Sequence, residues 1–132
     1  MRIVQPEGWP RPRGYANGVV AEGRVLFISG QVAWDEREIF HSDDIVDQVR
    51  QALRNTLTML KAGGARPEHV ARMTWYITDE REYMARGKEI GEVYRELMGA
   101  HYPSMSMVQV SALMEDRAKV EIESTAVIPH GG

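Results

Sequence analysis

Apolar positions along the chain repeat with two different periods. Between Ser42 and Gly64 the spacing is helical: Ile45, Val49, Ala52, Leu53, Thr56, Leu57 and Leu60 keep to one stripe. Ser42, Asp43 and Asp44 precede that stripe as N-cap candidates, and their carboxylates suit the positive end of a helix dipole. Gly63 and Gly64 supply the stop. A second helix is predicted over "DEREYMARGKEIGEVYRELMGA", whose apolar side is Tyr83, Ile90, Val93, Tyr94 and Leu97. Gly87 and Gly91 weaken it locally, by about 1 kcal/mol each relative to Ala. Its charge run is most simply a solvated face.

The remaining apolar runs are short and rich in β-favouring residues. "YANGVVAEGRVLFISGQVAWD" reads as a strand pair, with Val19 and Val20 leading through a Glu22-Gly23 turn signal to Val25-Leu26-Phe27-Ile28. "VARMTWYITD", "MSMVQVSAL" and "AKVEIESTAVI" read as three more strands. The first thirteen residues contain Pro6, Pro10 and Pro12 and form an extended arm. The predicted order is β-β-α-β-α-β-β in one domain spanning 1–132: an α+β fold with both helices on one face of a mixed sheet. The other sheet face must then find cover, and self-association is one way to supply it.

Composition narrows the function classes. With 43% apolar and 27% charged residues the chain is an ordinary soluble globular one. Its net charge of −3 gives no general attraction to nucleic acid or to anionic membranes. No stretch approaches the roughly 20 apolar residues of a membrane span, and no secretory signal pattern opens the chain, so a cytoplasmic location is expected. The absence of cysteine excludes disulfides, thiolate catalysis and cysteine-ligated metal. His41, His69, His101 and His130 show no metal-ligand spacing, and no metal site is expected. His101 follows a predicted helix end, where a cation suits the dipole. No phosphate-loop glycine pattern occurs.

Two strands carry candidate chemistry. In "KVEIES", Glu121 and Glu123 share a face opposite Val120 and Ile122. That face meets either solvent or a cleft, where a carboxylate can position water or move a proton. In "YPSMSMVQV", Met105, Met107 and Gln109 share a face, and periodicity leaves it as either core or pocket lining. Ser29, at the end of "FISG", is equally a strand-end hydroxyl or a site residue; the nucleophile-elbow pattern is missing around it.

Taken in order, "GYANGVVAEGRVLFISGQV", "DQVRQALRNTLTMLKAGGA" with Gln48 and Asn55, "VARMTWYITD", "YPSMSMVQV" and "KVEIESTAV" resemble the Rid family of reactive intermediate deaminases, also called YjgF-like or endoribonuclease L-PSP. The resemblance runs from about residue 14 to 128. It implies a chorismate-mutase-like fold, a homotrimer whose sheets form a central barrel, and small-molecule clefts between subunits. It also implies hydrolysis of enamines and imines to a keto acid and ammonia, with no metal or organic cofactor. Carried over position by position, the cleft would include Tyr15, Ser29 and Gly30, then Pro103, Ser104, Met105, Ser106 and Met107, then Glu121. Glu121 would hold or activate water, and Tyr15 would offer a hydroxyl and a ring wall.

The chain departs from the pattern where it matters most. Deaminating members carry Pro-x-Arg-Ser/Thr, whose arginine grips the substrate carboxylate through forked charge-assisted bonds. Here the segment is Pro103-Ser104-Met105-Ser106, and a thioether has neither donor nor charge. Position 107, often cysteine, is Met107. About one helical turn is added between Tyr83 and Tyr94, and an asparagine frequent there maps to Gly91.

Three functions follow as alternatives. The first is a divergent enamine or imine deaminase with little action on 2-iminopropanoate, with the 2-aminomuconate type as a candidate class. An acidic substrate would then need a new cation, for which Arg72, Arg81 and Arg86 are candidates. The second is a non-catalytic metabolite-binding trimer. A ribonuclease is the poorest of the three, because neither a basic-aromatic stripe nor a histidine pair is present.

Overall fold

The structure, a computed structural model, describes residues 1–131. Strands β1 (Arg2–Val4) and β2 (Gly18–Val20) pair antiparallel as a two-stranded ribbon. The main sheet contains β3 (Arg24–Gln31), β4 (Val70–Ile77), β5 (Ser104–Gln109) and β6 (Val120–Ile128) in the order β3-β6-β4-β5. β6 runs antiparallel to both neighbours, and β5 runs parallel to β4 on the outer edge. Helices α1 (Ile45–Ala62), α2 (Glu80–Ala85) and α3 (Gly87–Met98) lie between β3 and β5 in the chain. The fold is α+β with a mixed sheet, as predicted.

Alternation along β6 divides the two sheet faces. Val120, Ile122, Ser124, Ala126 and Ile128 are buried, and all but Ser124 join Met73, Trp75 and Ile77 of β4 under the helices. The α1 stripe seals this core through Val49, Ala52 and Leu53, and α3 adds Ile90, Val93 and Tyr94. Glu121, Glu123, Thr125 and Val127 point the other way. Phe27, in register with Thr125, shares that open face and is 79% exposed.

Asp44 caps α1 by accepting the Asp47 N–H at 3.1 Å, and Gly63 ends it. The same helix carries two polar staples. Gln48 is buried; its Nε2 donates to the carbonyls of Ser42 (3.0 Å) and Arg117 (2.9 Å), and its Oε1 accepts the Lys119 N–H (2.8 Å). Asn55 Nδ2 donates to the carbonyls of Val32 and Trp34 at 3.0 and 2.7 Å. Both hold segments that lie outside the main sheet.

Four local expectations change. β2 and β3 do not form a hairpin: β2 pairs β1, and β3 pairs β6. Gly23 is required for a different reason, since at φ +148° a Cβ there would stand 2.0 Å from the Ile128 carbonyl oxygen. The proline-containing arm supplies β1. The second helix breaks at Arg86 (φ −110°, ψ 16°), which closes α2 and opens α3. β5 stops at Gln109, whose Oε1 accepts the Glu80 N–H at 2.6 Å. No helix among the described residues is long and apolar enough to cross a membrane.

Candidate functional site

β5 is an edge strand, so its side chains have β4 on one flank only. Register places Met105 beside Met73 and Met107 beside Trp75, both on the helix side of the sheet. A cavity of about 530 Å³ lies there, between β5, α3 and residues 13–15. Its apolar wall is aromatic. Tyr94 stacks on Tyr102 with ring centroids 5.5 Å apart, and Trp75 meets Tyr94 at 6.3 Å and Tyr83 edge-on at 6.5 Å. Burial raises the phenol pKa values of Tyr83 and Tyr94, and Tyr102 raises that of Tyr94 further. These hydroxyls therefore stay protonated near neutral pH, and that of Tyr94 donates to the His101 carbonyl at 3.0 Å. Met105 packs against both core and cavity, whereas Met107 stands at the exposed side.

The arm reaches this cavity because the backbone ties it down. The Ala16 N–H donates to the Pro103 carbonyl at 2.9 Å, and Ala16 bridges to Ser104 in parallel. Tyr15 is thereby set against the start of β5 and lines the cavity. Ser104 turns away and donates its hydroxyl to the Ala71 carbonyl at 2.9 Å. Ser106, in register with Thr74, faces the open side of the sheet.

The other expected residues stand elsewhere. Ser29, Gly30 and Glu121 belong to β3 and β6, where a β-bulge lies between Ile28 and Gln31. Glu121 is half-buried and packs against Gly30. It lies on the open face, opposite Val120 and Ile122. The structure thus brings Tyr15, Met105 and Met107 together, and separately Gly30 and Glu121, with the sheet between the two groups.

The cations of the cavity are not those anticipated. Arg72 and Arg81 are exposed and do not line it. Arg86 bonds Asp44 at 2.6 Å and Glu89 at 2.8 and 2.9 Å. Arg13 and Arg95 line the cavity instead, and among the described residues no Asp or Glu does. Neither arginine takes part in a salt bridge among the described residues. Gly87, Gly91 and Arg95 follow one another at i, i+4 and i+8 on the same face of α3. A Cβ at Gly87 would meet nothing within 4 Å, and one at Gly91 only Arg95 Nη1, at 3.5 Å. That spacing is the sequence signal that points to Arg95.

Three of the four histidines have structural partners. His69 Nδ1 accepts the Arg66 N–H at 3.1 Å, and His101 Nε2 donates to the Val70 carbonyl at 2.8 Å. His41 lies 2.7 Å from Asp35 at the surface. No group of three or more acidic or histidine side chains among the described residues is arranged to hold a metal ion.

Similarity to known proteins agrees with this architecture. A RutC family protein of Pyrococcus horikoshii is 34% identical over 126 residues, 94% of this chain and 95% of the relative. The Escherichia coli protein named putative reactive intermediate deaminase TdcF is 33% identical, covering 96% of both chains. Its crystal structure with bound serine superposes with a TM-score of 0.69, at 32% identity over 98% of this chain and 100% of that one. The Rid-family protein YyfB of Yersinia pestis superposes with a TM-score of 0.85, at 30% identity over 96% and 98% of the two chains. Residues 10–128 match the family described as endoribonuclease L-PSP, and the chain belongs to that family, the Rid/YjgF proteins.

Proposed function

We propose that this chain hydrolyses an enamine or imine at a site shared between subunits of a homotrimer, with little action on 2-iminopropanoate. One observation carries the reading: Glu121 and the Met105–Met107 wall lie on opposite faces of one sheet. A single chain cannot bring both to one substrate. An assembly that lays the open face of one subunit beside the cavity of the next can do so. The exposed Phe27, Val25 and Val108 give that face apolar area to bury. The relatives named as deaminases support the reaction class.

In this reading the substrate occupies the aromatic cavity of one subunit. Glu121 of the neighbour holds a water against the imine carbon and accepts its proton as the C–O bond forms. The C=N electron pair moves to nitrogen, which takes that proton back from Glu121. The carbinolamine hydroxyl then gives its proton to the Glu121 carboxylate, which passes it to the amino nitrogen, so that ammonia leaves with the C–N pair as the carbonyl forms. Tyr15 walls the cavity beside Pro103. Met105 offers no charge where deaminating relatives place arginine, so a small imino acid loses its grip.

Subunit mixing tests the shared site. Glu121→Gln removes the water-holding half, and Gly91→Trp fills the cavity half. Each variant alone should be inactive on 2-imino-3-phenylpropanoate generated in place. A refolded equimolar mixture should regain roughly a quarter of the wild-type sites, from random pairing across a cyclic interface. A mixture as inactive as its components sinks the proposal. The Met105 substitution also favours a second reading, a binding trimer without catalysis. That reading takes over if no enamine or imine is turned over by the wild type.

A further inference from the structure

The cavity lining has a definite chemical preference. Its walls are rings and thioethers, its charged groups are two guanidiniums, and no Asp or Glu among the described residues lines it with them. Such a lining favours a ligand with a flat, polarisable body and a negative end. A volume of about 530 Å³ lies within the usual range for small-molecule pockets and is more than a three-carbon imino acid fills. Met105 lies in the wall formed by β5 and donates nothing, so an anion cannot be held from that strand's side chain. The nearest donors of charge stand across the cavity and on the arm.

We propose that Arg95 of α3 binds the carboxylate of the ligand, and that the ligand is a planar aryl- or polyene-conjugated carboxylate whose body lies against the wall formed by Tyr94, Tyr102 and Trp75. Arg95 is favoured over Arg13 because it stands on a packed helix rather than on the arm, and helices hold site geometry better. Among the described residues it carries no ion pair that a ligand would have to break. Gly91 keeps the turn beneath its guanidinium bare, which leaves the head group open to the cavity. An arginine here offers the forked geometry that a carboxylate matches. The grip on the anion thus passes from the strand to the helix across the cavity. The inference rests on the preceding reading only for taking this cavity as the substrate half of the site.

Calorimetric titration of the full chain with trans-cinnamate and with neutral cinnamamide tests it. The wild type should bind cinnamate about tenfold to a hundredfold more tightly than the amide, the range for charge-assisted hydrogen bonds. Arg95→Met should bring cinnamate down to the level of the amide without changing the amide's affinity, and Arg95→Lys should regain part of the loss. Equal cinnamate affinity in the wild type and Arg95→Met overturns the proposal. So does a loss that follows Arg13→Met instead. Binding is measured apart from turnover, so the two readings can fail separately. Cinnamate binding that depends on Arg95, with no imine hydrolysed, leaves this inference standing and removes the catalytic one. Hydrolysis of 2-imino-3-phenylpropanoate with an unchanged KM in Arg95→Met does the reverse.

Discussion

The Glu121 side chain packs directly on the Cα of Gly30: a Cβ built there would lie 2.6 Å from both Cδ and Oε2 of the carboxylate. The glycine therefore determines where the carboxylate rests. Because the obstructing atoms are the far end of a flexible side chain, Gly30→Ala should keep the fold while swinging Glu121 aside. Turnover should fall about a hundredfold, the order expected when a catalytic group is misplaced by 1 Å. Stability should change by less than about 1 kcal/mol. Measuring kcat beside Tm separates the two effects, and a wild-type kcat would deny Glu121 its proposed role.

Met105→Arg tests the opposite change. The cavity beside Met105 leaves room for a longer side chain, and its forked donors would match a small carboxylate. The kcat/KM for 2-iminopropanoate should rise about tenfold or more. An unchanged value would show that position 105 does not limit the use of small imino acids.

Gln48 is the most consequential polar residue in the core. Gln48→Leu would leave the Lys119 N–H and the carbonyls of Ser42 and Arg117 without their partner. At about 1–3 kcal/mol for a buried group left unsatisfied, the loss should exceed about 2 kcal/mol. Urea denaturation should show a lower midpoint at an unchanged m-value.

Acid should weaken the junction between α1 and α3. The Arg86 guanidinium holds the carboxyls of Asp44 and Glu89 below their ordinary values of 3.8 and 4.5. The folded values lie below the unfolded ones, so this stabilisation is complete above about pH 5 and is lost as pH falls through the depressed folded values. The effect is small, because the Arg86 and Asp44 side chains are about a third exposed and screened by solvent. The Tm difference between wild type and Arg86→Met should stay constant near neutrality and shrink below about pH 4.5. A difference that persists at pH 2 would contradict this origin.

Local periodicity carried most of the fold. The stripe Ile45, Val49, Ala52, Leu53 and Leu60 is buried as its spacing predicts. Long-range pairing was not legible: Val19-Val20 and Val25–Ile28 look like two arms of a hairpin, yet their partners are β1 and β6. Gly23 resembles a turn glycine but answers to Ile128, more than a hundred residues away in sequence. The burial of Gln48 is not legible in the sequence, because two of its partners are backbone groups about 70 residues away, at Arg117 and Lys119. At the cavity, Met105 and Met107 pointed to the right strand. The aromatic wall and Arg95 did not stand out, since Tyr83, Ile90 and Tyr94 look like a core face in one dimension. Nothing in strand periodicity tells which sheet face the helices cover, so the separation of Glu121 from Met105 follows only from the register.

The burial of Trp75 also gives the protein an optical property. Of three tryptophans, Trp9 is 61% exposed, whereas Trp75 is 2% exposed and sits in the cavity wall with the Tyr94 ring 6.3 Å away. Its emission should be the blue-shifted component of the fluorescence, the Trp9 emission the red-shifted one, and that of the half-buried Trp34 should fall between them. A conjugated molecule entering the cavity would quench the first and spare the second. The chain therefore carries an intrinsic spectroscopic gauge of its own occupancy, able to screen unlabelled metabolites before any reaction is known.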